Sequence, residues 1–120
     1  MITTKESFNV QIWVGLKETT QYGDNHTIDE VREVCKEFVI DGDCVSITPT
    51  EFIYTNGSGK GVVIGFINYP RFPRTKEQII TRATKLAVNL AYSLNQYRVT
   101  ITTPDNSIMI QNELLTDETR

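Results

Sequence analysis

Residues 56–69 read Asn56-Gly57-Ser58-Gly59-Lys60-Gly61-Val62-Val63-Ile64-Gly65-Phe66-Ile67-Asn68-Tyr69. The first four have the composition of a tight hairpin turn. From Lys60 to Tyr69 both alternating sets are apolar: Val62, Ile64 and Phe66 on one side, Val63, Ile67 and Tyr69 on the other. A strand apolar on both faces belongs in the interior of a sheet. The other arm of the hairpin runs from Cys44 to about Tyr54. Pro49 lies inside it and cannot donate to a ladder, so this arm reads as an edge strand or breaks there.

Working outward, Pro70-Arg71-Phe72-Pro73-Arg74 predicts a stiff, extended connector, because each proline fixes its own φ and restricts its predecessor. Thr75 with Gln78 three residues on is a capping-box pair. The stripe Ile79, Ala83, Leu86, Leu90 and Leu94 then marks an amphipathic helix. Tyr97 to Thr103 reads as a strand, Pro104-Asp105-Asn106 as a turn, and Ser107 to Ile110 as a short last strand. Upstream, Phe8 to Leu16 alternates with period two, hence another strand. Thr19 to Asn25 is a polar loop. Thr27 with Glu30 opens a helix whose apolar face is Ile28, Val31, Val34, Cys35 and Phe38. The order is β-α-β-β-α-β plus a last strand. It predicts an α+β, split-βαβ-like antiparallel sheet with two helices on one face. Residues 1–112 form one expected domain and 113–120 a polar C-terminal tail. The face away from the helices carries Trp13 and part of the central strand, which points to self-association.

The 120 residues are 39% apolar and 22% charged, too apolar for a disordered chain. No apolar run approaches the ~20 residues of a membrane helix. Met1 to Ser7 lacks the apolar stretch of a signal peptide, and two cysteines are too few for a disulfide scaffold, so a cytoplasmic setting is expected. The net charge of -3 argues against bulk nucleic-acid binding. The charge is unevenly spread, with nine acids against two bases over residues 18–51 and seven bases against one acid over residues 60–98. The basic stretch can present a local positive field.

Chemistry-bearing patterns are sparse. His26 is the single histidine, and Cys35 and Cys44 lack metal-ligand spacing, so neither a metal nor a cofactor is implied. Cys35 lies on an apolar helix face, as a buried structural thiol would. Asp41-Gly42-Asp43 is turn chemistry. The glycine-rich residues 56–61 lack P-loop spacing. No catalytic residue is assigned.

The most distinctive segment is Asn68-Tyr69-Pro70-Arg71-Phe72-Pro73-Arg74. Guanidinium groups bind phosphates through paired hydrogen bonds, an aromatic ring stacks a base, and a helix N-terminus favours an anion. Arg98 at the start of strand four is expected to approach the same corner. Thr48 and Thr50 offer hydroxyls. The bland reading is a rigid connector with Phe72 in the core.

Three stretches carry a family resemblance: Val45 to Tyr54; Gly61 to Pro73; and Gln96-Tyr97-Arg98-Val99-Thr100-Ile101. They resemble the small phage and prophage anti-Thoeris sponge proteins. That resemblance implies binding of a cyclic ADP-ribose isomer, the glyco-cyclic signal of bacterial TIR-domain defence. The signal is sequestered without cleavage by a homo-oligomer in the host cytoplasm. It places Phe72 at the base, Arg71, Arg74 and Arg98 at the phosphates, and Asn68, Tyr69, Thr48 and Thr50 in supporting contacts. Two other readings stand beside it. One is a single-stranded RNA binder like the RNA recognition motif, with Ile12-Trp13-Val14-Gly15-Leu16 as its first signature strand. Its second would be Lys60 to Phe66, with Val62 and Ile64 where stacking aromatics are expected. The other is a phage structural or adaptor oligomer without a ligand.

Overall fold

The structure is a computed structural model that describes residues 1–18 and 23–115. Residues 19–22 of the expected loop and 116–120 of the expected tail lie outside the described residues. The elements are β1 (Val10–Gly15), α1 (Ile28–Phe38), β2 (Val45–Tyr54), β3 (Gly57–Phe66), α2 (Lys76–Ser93), β4 (Arg98–Thr102) and β5 (Ser107–Gln111). The strands form one sheet in the order β2-β3-β1-β4-β5, every neighbouring pair antiparallel. This is the α+β, split-βαβ-like architecture that the sequence predicts. β3 is interior and β2, which contains Pro49, is an edge, as expected; β3 ends at Phe66, however, so Ile67 and Tyr69 lie beyond it and Val63 is the apolar residue of its second face.

The hairpin turn falls earlier than expected. Thr55 and Asn56 form it, Asn56 takes a φ of 63°, and Tyr54 pairs directly with Gly57. Asparagine tolerates the left-handed region, so the turn does not need the following glycines. Gly57 and Gly59 instead extend β3.

One set of side chains from every strand faces the helices. Val10, Ile12 and Val14 of β1, Val62, Ile64 and Phe66 of β3, and Val99 and Ile101 of β4 are buried. Val31 and Cys35 of α1 meet them, as do Ile79, Ala83, Leu86, Ala87, Leu90 and Ala91 of α2. Each large apolar side chain buried this way contributes about 1.5–3 kcal/mol. Thr27 caps α1, and Thr75 and Gln78 make the reciprocal capping box of α2. Phe72 is not in the core; it is exposed.

A buried ionic hub ties the layers together. Asp43 has no side-chain exposure and accepts from both Arg74 and Arg82, the latter at 2.5 Å. The Ile40 amide also donates to it. Burial alone would push the Asp43 carboxyl up, but the two guanidiniums and the amide override this and hold it below its ordinary value. Arg82 lies 4.1 Å over the Phe38 ring, so the hub joins the end of α1, the 67–74 connector and α2. No helix among the described residues is long and apolar enough to cross a membrane.

Candidate functional site: a basin on the open sheet face

Register fixes what faces away from the helices. Thr48 pairs with Val63, Thr50 with Gly61, Gly15 with Gly61 and Trp13 with both Val63 and Thr100. The uncovered face therefore carries Trp13 and Gly15 from β1, Thr48, Thr50, Phe52 and Tyr54 from β2, and Arg98 and Thr100 from β4. At the end of the sheet marked by Gly15 all of these residues except Thr48 and Thr50 border a basin of about 740 Å³. That volume is in the range that holds a small-molecule ligand.

Its walls are aromatic. The Trp13 and Phe52 rings lie 6.4 Å apart at 60°, and the Trp13 indole N–H donates to Thr102 Oγ1 at 2.9 Å, which fixes the ring. The glycines of β3 make room for the β2 rings: a Cβ at Gly61 would stand 2.2 Å from the Phe52 ring, and one at Gly57 2.6 Å from the Tyr54 ring. Asn56 and Thr55 close one end and Gln96 the other. Arg98 supplies the positive charge, with its guanidinium carbon 4.6 Å over the Tyr97 ring. No carboxylate belongs to the described lining. Flat rings, one planar cation and bare backbone suit a base joined to an anion.

The sequence-predicted residues divide between two ends of the sheet. Arg98 lines the basin, and Thr48 and Thr50 lie on the same face. Asn68, Tyr69, Arg71, Phe72 and Arg74 do not join them. β3 leaves the sheet beside Val10, whereas Arg98 begins β4 at the Gly15 end, about 17 Å away along β1. The expectation that Arg98 approaches the arginine corner is therefore not met within one protomer. The reason is topological: β3 and β4 both run antiparallel to β1, so the end of one lies far from the start of the other.

Within the corner, roles also separate. Arg74 is held by Asp43 and by the Asp41 carbonyl, 3.1 Å away, so its guanidinium is spent on the fold. Asn68 braces the connector: its amide donates to the Glu6 carbonyl and its oxygen accepts from the Arg74 backbone N–H, both at 2.9 Å. Tyr69 and Phe72 remain exposed, with ring centres 6.2 Å apart, and Arg71 stands 5.4 Å over Phe72. That trio is an outward-facing aromatic and cationic knob.

Sequence reasoning missed Phe52, Tyr54, Asn56 and Gln96 as site residues. The signal that marks two of them is the period-two glycine set of β3 opposite the β2 aromatics. Val62 and Ile64, set against RNA-stacking positions, point into the core. The open-face positions of β3 are Gly61, Val63 and Gly65.

Beside the basin, His26 is held between Glu18, at 2.9 Å, and Glu30. Burial opposes its protonation, but the two carboxylates prevail and its pKa lies above the ordinary value. Glu18 also accepts from Asn95, and these hydrogen bonds lower its pKa. The loop is thereby tied to the residues that precede Gln96. Cys35 is buried, as expected, and burial pushes its thiol up to about 11. Among the described residues no cluster of three or more histidine, cysteine or acidic groups is placed to hold a metal.

Set against known proteins, the sequence matches no family model and no curated protein. Two solved structures share its fold over almost their whole length. A phage SAM lyase in its apo state superposes with a TM-score of 0.70 at 20% identity, over 94% of this chain and 96% of that one. A phage SAM lyase in complex with S-methyl-5'-thioadenosine gives 0.67 at 14% identity, over 97% and 98%. At these identities the likeness is one of fold.

Proposed function

We propose that the protein binds an anionic adenine nucleotide in the open-face basin. We further propose that the ligand is a cyclic ADP-ribose isomer held without cleavage, so that the protein acts as a phage anti-defence sponge in the host cytoplasm. The observation that carries this reading is the lining itself: Trp13, Phe52 and Tyr54 around a floor of backbone, with Arg98 as the cation and no carboxylate among the described lining residues. A pyrophosphate meets a guanidinium there, and adenine meets rings. The sequence resemblance supports the signal class, and the fold shared with a structure holding a thioadenosine supports an adenosine-sized ligand.

In this reading the protein works as a homo-oligomer. The exposed Tyr69, Arg71 and Phe72 knob reaches a ligand from a second copy, with Asn68 and Arg74 keeping its shape. Thr48 and Thr50 contact the ligand from the basin's own face. Exposed Ile53, Tyr54 and Met109 supply apolar surface for association.

A second reading, cleavage of S-adenosylmethionine, is favoured by the shared fold of the phage SAM lyase structures. The sulfonium of that substrate is a cation, and the described lining offers it an arginine and no carboxylate. One experiment separates the two. Calorimetry with cyclic ADP-ribose isomers, ADP-ribose and S-adenosylmethionine is followed by chromatography of the recovered ligand. The sponge reading expects sub-micromolar binding of a cyclic isomer, about 8 kcal/mol or more, and its recovery unchanged. Release of S-methyl-5'-thioadenosine from S-adenosylmethionine overturns it in favour of the lyase.

A further inference from the structure

We infer that Gln96 is the specificity determinant of the basin and reads the exocyclic amino group of adenine; this rests on the nucleotide reading above. Gln96 is 4% exposed, an unusual burial for a glutamine. Its amide nitrogen donates to the Lys17 carbonyl at 2.8 Å and to the Leu94 carbonyl at 3.1 Å. Both N–H bonds are thereby committed to the backbone. Turning the amide over would set its oxygen against two carbonyl oxygens, so the orientation is fixed. The oxygen Oε1 is then what faces the basin.

Its position follows from Gly15. A Cβ on that residue would project from the open face and stand 2.9 Å from Gln96 Oε1. The oxygen therefore hangs over the bare backbone of Gly15, one alternation along β1 from the Trp13 ring. No described residue donates to it. A ring stacked beside Trp13 extends its edge across the glycine to this acceptor. A fixed acceptor pairs with a donor and opposes another acceptor. Adenine presents an amino group at that edge, whereas hypoxanthine and guanine present a carbonyl oxygen. A buried polar group left opposite a like group discriminates far more strongly than a change of shape does.

The test compares a glyco-cyclic ADP-ribose isomer with its deaminated, hypoxanthine counterpart, identical in sugars and pyrophosphate. Calorimetry on the native protein is expected to show roughly tenfold or more weaker binding of the hypoxanthine form. Gln96→Leu is expected to weaken the adenine form and erase the difference. The native comparison stands even if that variant fails to fold. Equal affinity of the native protein for the two forms overturns the Gln96 assignment and leaves the nucleotide reading standing. That result would indicate a ribose hydroxyl as the partner of Oε1. Binding of neither form overturns both.

Discussion

Asp43→Ala should cost about 3 kcal/mol and lower the melting temperature by on the order of 10 °C. The carboxylate is fully buried, and its removal leaves Arg74 and Arg82, which are 18% and 21% exposed, facing each other without a counter-charge. It also frees the Ile40 amide. The same operation on the exposed Lys76–Asp105 pair is a control, because solvent screens an exposed pair and leaves it little net stability. Asp105→Ala should melt within a few degrees of the native protein. Acid sensitivity follows from the same hub. The folded Asp43 pKa lies below its unfolded value, so its contribution is complete above about pH 4 and is lost as pH falls toward the folded value. The native protein should lose stability over that window faster than Asp43→Asn does. A native-like melt of Asp43→Ala would show that the connector and α2 are held by packing alone.

Arg98→Ala should weaken nucleotide binding about ten- to a hundredfold while the fold persists, the loss of one charge-assisted pair at a phosphate. Arg98 is half-buried at the sheet edge of the basin, outside the apolar core, so its melt should stay near the native one. Arg98→Lys retains the charge but not the planar fork, and should recover part of the affinity. Calorimetry with the cyclic ADP-ribose isomer that binds best reads both variants. Unchanged affinity in Arg98→Ala would move the phosphate contact away from the basin.

The fold was legible because its signals are local. Alternation in β1, the Thr27 cap, the Thr75–Gln78 capping box, the Ile79-to-Leu94 stripe and Pro49 each act within a few residues. The third strand shifted toward the N-terminus at both ends: Asn56 takes the left-handed position of the turn, so Gly57 already pairs, and the strand stops at Phe66 rather than Tyr69. The site was less legible because it is assembled from distant pieces. Trp13, Phe52, Gln96 and Arg98 come from β1, β2 and the approach to β4, and no short motif joins them. Arg71 to Arg74 stood out in the sequence as a phosphate clamp. The partner that claims Arg74 is Asp43, 31 residues earlier, and a turn aspartate gives no local hint of that reach. Arg98 was the one predicted phosphate ligand that the fold brings to the basin. Its expected company was wrong because strand direction, which sets the ends, is decided by pairing and not by sequence adjacency.

Trp13 is the one tryptophan of the chain and stands in the basin wall, so its fluorescence reports directly on a stacked base. Titration with a cyclic ADP-ribose isomer should quench that emission in a saturable way, with a midpoint below a micromolar and an end point of one ligand per basin. An emission that stays flat while calorimetry records binding would place the ligand elsewhere and contradict the account.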